Sequence, residues 1–408
     1  MQRVDHEKRA LRAVRKRADF GPDLDIGSYE HETKELDKVR ALNDLPGDIA
    51  GASTDVGIET DESCRSGTFF QINHSVVLST VYQDGLEIMS ITEALQKYDW
   101  LSGYRWQAMK EDADKFTAEA ELHQHQGYFI RALPGSKVEL PLQACLFMDQ
   151  DSLIQNVHNI IIAEEGSELH IITGCAAAAS VNRGLHIGIS EFYIKKNAKM
   201  TFTMIHKWAD NMAVRPRSAA IIDESGLFLS NYVCIKPVRT LQMYPTVYCT
   251  GKNSTARFNA VLVAHEGSDM DVGSRVYLRK EGSRAEVITR AISEGGNIFA
   301  RGHLIGEVPD IKAHLECRGL ILSEKGSIHA IPELEGKVSN VDMSHEAAVG
   351  KIAEEEIQYL MARGLSEEEA TSAIVRGFLD IEVKGLPSQL QAEMKKALHP
   401  KELKDRVL

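Results

Sequence analysis

The chain has 408 residues, 43% of them hydrophobic and 26% charged, which is an ordinary soluble profile with enough apolar residues for a sizeable core. A formal net charge of -12 argues against general nucleic-acid binding, which needs a basic face to neutralise phosphates. No stretch approaches the roughly 18 apolar residues of a membrane span, and the first residues are charged and lack the apolar core of a signal peptide, so a cytoplasmic protein is expected.

Residues 1–19 read as a helix with Val4, Leu11 and Val14 among many basic residues, stopped by Gly21 and Pro22. The basic run from Lys8 to Arg17 decorates this helix rather than binding a polyanion. Residues 21–66 are polar and mixed, with a turn at Pro46-Gly47. A second helical stretch occupies 91–120, in ITEALQKYDWLSGY and EDADKFTAEAEL.

From residue 126 the texture changes to short runs rich in Val, Ile, Phe and Tyr, separated by Gly, Asn and Ser turns. GSKVELPL begins at Gly135, GSELHIIT at Gly166 and NAKMTFTM at Asn197, in steps of 31 residues. Similar segments follow near Ser225 and Asn253, then at Gly282, Gly296 and Gly326. A period of this size with strand texture is the mark of a stacked solenoid, and the absence of helices between turns favours a β-helix over a βαβ fold. A sandwich of repeated hairpin pairs is the competing reading.

After residue 343 a helical tail is expected. SHEAAVGKIAEEEIQYLMARG ends at a plausible C-cap, Gly364. SEEEATSAIVRGFL places Ser366 and Glu369 at capping-box spacing and Ala370, Ala373, Ile374 and Phe378 on one face. Pro387 opens a third helix through Leu398. The expected organisation is an N-terminal mixed helical region over 1–125, a β-helix core over 126–343 and a C-terminal helical domain over 344–408.

Six cysteines, Cys64, Cys145, Cys175, Cys234, Cys249 and Cys317, are dispersed without a C-x-x-C pair. That spacing counts against a disulfide framework, a structural zinc site or a tightly held ferredoxin cluster. Around Cys317, residues Ala313, Leu315, Gly319 and Ile321 alternate with Lys312, His314, Glu316 and Arg318, so Cys317 lies on the apolar side of a strand. By pattern alone it reads as a small buried hydrophobe. His345 and Glu346 follow at close to the solenoid period, which puts them one coil on, roughly 5 Å away by strand spacing. Ser344 reads equally as a helix cap, with Glu346 favouring the helix dipole. His123-x-His125 is a further metal-binding pattern, although exposed histidines that bind nothing are commoner. There is no G-x-x-x-x-G-K-[ST] loop for ATP.

The segment from Cys317 to Phe378 resembles the SUF-system iron–sulfur cluster assembly scaffolds, the SufB and SufD proteins. CRGLILSEKGSIHAIPELE and SHEAAVGKIAEEEIQYLMARGLSEEEATSAIVRGF carry the resemblance, which extends more weakly through TGC at Cys175, GYFIRALPGSKVELPL and RSGTFFQINHSVV. It implies a mainly β protein: a right-handed parallel β-helix core with an N-terminal α/β region and a C-terminal helical domain. It also implies a scaffold rather than an enzyme. Cys317 with Glu346 is SufB-like, whereas Ser344 is SufD-like, so the chain resembles a single scaffold able to pair with itself.

By that resemblance Cys317, His345 and Glu346 are candidate ligands of a transient cluster, His329 is a secondary candidate and Cys175 is the sulfur acceptor. Phe202, Met204, His206 and Trp208 share one strand face and are candidates for an internal sulfur path over the nearly five coils, roughly 20–25 Å, between Cys175 and Cys317. A plain core stripe is the competing reading for these four. Phe147 and Asp149 stand where SufB-like proteins carry Arg and Asn. Cys64, Cys145, Cys234 and Cys249 have no supporting pattern. The implied partners are a SUF-type ABC ATPase docked on the helical tail, iron and sulfur donors, and a second copy of the chain. The rival function is a SufD-like supporting subunit that holds no cluster; a carbohydrate-cleaving β-helix lacks its paired carboxylates here.

Overall fold

The computed structural model describes residues 2–379. Among them the chain is mainly β and forms a solenoid of about eight turns. Successive coils pair in parallel: Leu142 lies opposite Ile171, Cys175 opposite His206, Leu227 opposite Thr255 and Ile311 opposite Val341. These offsets match the period visible in the sequence, and parallel ladders over such long intervals exclude the hairpin sandwich.

The turn residues explain why the coils close. Asn197, Ser225 and Asn253 have φ of 57°, 56° and 57°, and Gly135, Gly166 and Gly282 have φ of 71°, 69° and 74°. All six occupy the left-handed region that Gly and Asn tolerate best. They stack coil on coil: the Gly135 N–H donates to the Glu165 carbonyl, Gly166 to Lys196, Asn197 to Glu224 and Ser225 to Lys252. Each turn therefore templates the next.

Two sheets enclose the interior. One runs from strand Ser75–Val81 through Gly67–Ile72, Leu142–Met148, Glu168–Ala177, Lys199–Lys207, Leu227–Cys234, Thr255–His265, Arg284–Glu294 and Ile311–Ile321 to Val341–Gly350. The other begins at Leu86–Ser90 and ends at Ser327–Gly336. An aromatic column fills the space between them. Phe192 lies 4.8 Å from Phe202 and 5.0 Å from Phe228, which is 6.1 Å from Phe258.

The sheets begin earlier than the strand texture suggests. Gly67–Ile72 pairs with Leu142–Met148, and Leu86–Ser90 with Tyr128–Ala132. The helices Ile91–Lys97 and Lys115–Leu122 are inserted between these strands, which breaks the regular rhythm and hides the first coil. Helix Gln2–Ala13 packs Ala10 and Ala13 against Ala118, whereas Leu11 and Val14 are exposed. Lys8 and Arg12 face solvent, and Arg9 bonds to Glu111.

At the other end, Ser344, His345 and Glu346 lie in the strand Val341–Gly350, and the helical tail starts at Glu354. The ladder offered by the preceding strand overrides the helix propensity of the Glu- and Ala-rich run. Ser344 therefore does not cap a helix. Its hydroxyl bonds instead to His314 Nδ1 at 2.9 Å. The capping box of helix Glu367–Leu379 is formed, with the Glu369 N–H donating to Ser366 Oγ and the Ser366 N–H to the Glu369 carboxylate. Ala370, Val375 and Leu379 are its buried apolar residues, with Phe378 half-buried against the core, so the face is rotated from the expected one. The third helix expected from Pro387 lies outside the described residues. No described helix is long and apolar enough to cross a membrane.

The aromatic column generates a test. Phe228 is 2% exposed and touches the rings on either side of it, so Phe228→Ala should cost about 3–5 kcal/mol of unfolding free energy in a denaturant titration. A loss below about 1 kcal/mol would mean that the column does not hold the two sheets together.

Candidate functional site

In the sheet that carries both candidate cysteines, side chains alternate between an inner and an outer face. The register then decides which inner residues are neighbours. One row runs Leu146, Cys175, His206, Cys234 and Leu262. A second, two residues earlier along each strand, runs Thr173, Met204, Tyr232, Ala260, Thr289, Cys317 and Ala347.

Cys175 is 1% exposed and sits beside His206. His206 Nδ1 shares a 2.9 Å hydrogen bond with the Tyr232 hydroxyl, while its Nε2 is buried with no partner among the described residues. The Trp208 ring lies 5.5 Å from His206 and 5.0 Å from His186, and its indole N–H is likewise unpartnered there. His186 Nδ1 is 2.9 Å from Gln155 Oε1. Burial pushes the Cys175 thiol well above its ordinary value, with the nearby Cys145 adding to the effect. Burial, and secondarily His186, holds His206 well below the usual imidazole range; burial alone takes His186 down to about 3. The pocket therefore rests as thiol and neutral imidazoles.

Cys234, which no sequence pattern favoured, flanks His206 on the side opposite Cys175. Its spacing from His206 was the available signal, because the two residues are one coil apart. Of the other unsupported thiols, Cys145 lies on the outer face beneath Ser53, Cys249 is buried in the second sheet, and Cys64 is exposed.

Cys317 is 3% exposed, and burial takes its thiol up to about 11, partly offset by Arg290 and reinforced by Glu316. Its direct register partner on the last strand is Ala347; His345 pairs with Leu315. His345 is thus on the same face as Cys317 but diagonal to it. Two residues along the strand combined with one strand across give about 8 Å between Cα atoms, farther than the roughly 5 Å expected from spacing alone.

Glu346 pairs with Glu316 on the outer face. Arg318 bridges both carboxylates, at 2.7 Å from Glu316 and 3.3 Å from Glu346, and Arg290 lies 2.7 Å from Glu316. Within one chain, then, Cys317 and His345 share a face and Glu346 turns away. His329 lies on the other sheet, its ring stacked 5.0 Å from Phe299 on the outer surface, and does not approach Cys317.

Between the two cysteine positions the sheet order counts five strand steps, roughly 24 Å at ~4.8 Å per step. Along that interval lies an interior cavity of about 40 Å³, lined by Phe202, Met204, Phe228, Tyr232, Ala260 and Thr289. Met204, Tyr232, Ala260 and Thr289 are consecutive members of the Cys317 row. The small Ala260 and Thr289 leave the space that a larger pair would fill. Such a volume admits a few water-sized groups.

Beyond Cys317, the inner face of the last coil is partly exposed among the described residues. Leu334 and Val349 are 37% and 41% exposed, and among the described residues strand Val341–Gly350 pairs on one edge only. An unpaired edge beside exposed apolar side chains is a pairing surface.

Comparison with known proteins places these features in context. Residues 146–378 match the family model described as SUF system FeS cluster assembly, SufBD core domain. The chain is 55% identical over 344 residues to an iron-sulfur cluster assembly SufBD family protein of Archaeoglobus fulgidus, covering 84% of this chain and 92% of the relative. A protein of the same description from Methanothermobacter thermautotrophicus (strain Winter) is 47% identical over 400 residues, covering 97% and 98%. The chain is 27% identical over 368 residues to the iron-sulfur cluster assembly protein SufB of Bacillus subtilis, covering 88% and 79%.

The raised Cys317 thiol sets a pH dependence. Burial disfavours the thiolate, so with a value of about 11 roughly one thiol in a thousand is ionised at pH 8. In a Cys64→Ser chain, iodoacetamide labelling of Cys317, followed by peptide mass spectrometry, should accelerate about tenfold per pH unit from pH 7 to 10. A rate that levels off below pH 9 would show a stabilised thiolate instead.

Proposed function

Because the chain belongs to the SufBD family of iron–sulfur cluster assembly proteins, we propose that it is a non-enzymatic scaffold that accepts sulfur at Cys175 and builds a cluster at the partly exposed coil beyond Cys317, between two copies of itself. The observation that carries this reading is the inner row leading through the interior cavity to Cys317, with Cys175 in the adjoining row.

Sulfur enters as a donor persulfide. The Cys175 thiolate attacks the terminal sulfur and the donor leaves as a thiolate, so no net oxidant or reductant is consumed. Burial holds Cys175 protonated and His206 too weakly basic to deprotonate it. Transfer therefore waits on a donor whose docking opens or charges the pocket. Cys234, on the other side of His206, offers the next sulfur-bearing position along that row.

At the far end Cys317 and His345 supply one thiolate and one imidazole per chain, an incomplete set that suits a cargo meant to leave. A second copy pairing on the free edge of Val341–Gly350 supplies a second set and covers Leu334 and Val349. Glu346 joins the ligands only if the edge strand turns and releases it from Arg318. The helices beyond Glu354, with Tyr359 57% and Met361 42% exposed, are the docking face for an ABC ATPase, whose closure strains the seam.

One observation favours the rival reading of a supporting subunit without a cluster: Glu346 is ion-paired away from Cys317. Anaerobic reconstitution with iron and sulfide decides between them. The parent should develop cluster absorption and scatter light as a dimer; Cys317→Ala should lose the absorption while remaining folded. Equal cluster content in parent and variant, or none in either, would remove Cys317 from the reaction.

A chain ended after Gly364 tests the tail. It should stay folded by circular dichroism yet lose most of its retention of the ATPase in a pull-down. Full retention by the folded, shortened chain would place docking elsewhere.

A further inference from the structure

A second group of donors lies at the opposite end of the solenoid from the last coil and plays no part in the scheme above. Helix Lys115–Leu122 is capped at its C-terminus by His123, so Glu119 and His123, four residues apart, share one face. His123 Nδ1 lies 2.8 Å from Glu119 Oε1. His31 approaches the same oxygen, with its Nε2 3.8 Å away and its ring 5.0 Å from that of His123. It arrives on an extended segment that the sheet holds in place. The Glu30 N–H donates to the Ser152 carbonyl at 2.9 Å, and the Ile154 N–H donates to the Glu30 carbonyl at 2.9 Å.

One donor atom from each of His31, Glu119 and His123 lies within 4.8 Å of the other two, and among the described residues this is the only group of three that meets so closely. The surroundings fix the carboxylate and leave the imidazoles available. The Asn156 side-chain amide donates to Glu119 Oε1 and to the His123 carbonyl, each at 3.2 Å. The Glu119 side chain is 12% exposed, against 38% for His31 and 53% for His123. His31 Nδ1 is buried with no partner among the described residues, and its Nε2 is too far from Glu119 for a hydrogen bond.

Two further histidines form the wall but are committed elsewhere. His125 Nδ1 accepts from the Asn156 backbone N–H at 3.2 Å, and His74 Nε2 donates to the Ile154 carbonyl at 2.9 Å, the two rings being stacked 3.6 Å apart. The sequence pattern His123-x-His125 is therefore not itself the site: His125 Nδ1 is held by the Asn156 backbone, whereas His123 directs its Nδ1 at Glu119.

A lone His–Glu helix pair would account for His123, but not for the convergence of His31 or for the amide bracing the carboxylate. Two imidazoles and one carboxylate are the donor set of open divalent transition-metal sites, whereas calcium and magnesium take oxygen ligands. An outer amide that orients the ligating carboxylate is the usual support of such a set.

We propose that His31, Glu119 and His123 bind a divalent first-row transition-metal ion, with the remaining coordination positions open to solvent. The ion draws the three donors together from their present spacing to bonding distance, and the open positions allow it to exchange.

Cobalt(II) is the probe, because its visible spectrum reports the donors. The full-length chain should take up one equivalent anaerobically and show a ligand-field spectrum without a thiolate-to-metal charge-transfer band. It should do so equally well with Cys317→Ala, which keeps this test separate from the cluster reading. Affinity by calorimetry should fall about tenfold or more in His31→Ala, His123→Ala and the near-isosteric Glu119→Gln, and stay unchanged in His303→Ala. Circular dichroism melts of the metal-free variants identify any that fail to fold, and Glu119→Gln, which preserves side-chain volume, then decides. Unchanged affinity in folded Glu119→Gln and His123→Ala, a thiolate band in the bound spectrum, or no uptake by the parent would each overturn the proposal.

Discussion

Each coil exchanges backbone hydrogen bonds with the coils on either side of it, and the resulting offset of one period per strand decides which side chains stand next to one another inside the solenoid. A slip of one residue in that ladder would turn every inner side chain outward. The left-handed turns at Gly135, Gly166, Asn197, Ser225 and Asn253 protect against such a slip, because each must stack on a turn of the same shape. The meeting of Cys175, His206 and Cys234, each one coil from the next, depends on this backbone regularity and on no local motif.

The same regularity explains what is legible in the sequence and what is not. Turn residues at φ near 60° leave a visible trace, so the period and the β-helix can be read directly. The first coil cannot, because two helices interrupt it and separate Gly67 from its partner Leu142 by far more than one period. The last strand reads as helix because SHEAAVG carries the helix formers Glu and Ala, and the deciding contribution comes from a neighbour one coil back.

For the site, spacing finds the right coil for His345 but not its position within the strand. Period counting gives the strand, whereas facing and diagonal offset depend on the exact length of the intervening turns. Thus Glu346, adjacent in sequence to His345, lies on the other face beside Arg318. His329 belongs to the opposite sheet, where its short separation from Cys317 carries it around the corner of the coil. His31 and Glu119 give no joint signal, since they are remote in sequence and only the folded N-terminal segment brings them together.

The stacking of coils also makes the molecule a ruler with fixed gradations. The separation of Cys175 from Cys317 is five strand steps, and a step cannot be stretched, because it is the length of a row of hydrogen bonds. A descendant of this chain could lengthen or shorten that separation only by gaining or losing a whole coil. Point mutations could change what lies along the gap but never its span. Any partner that must reach both ends of the interval has to match a distance quantised in units of ~4.8 Å.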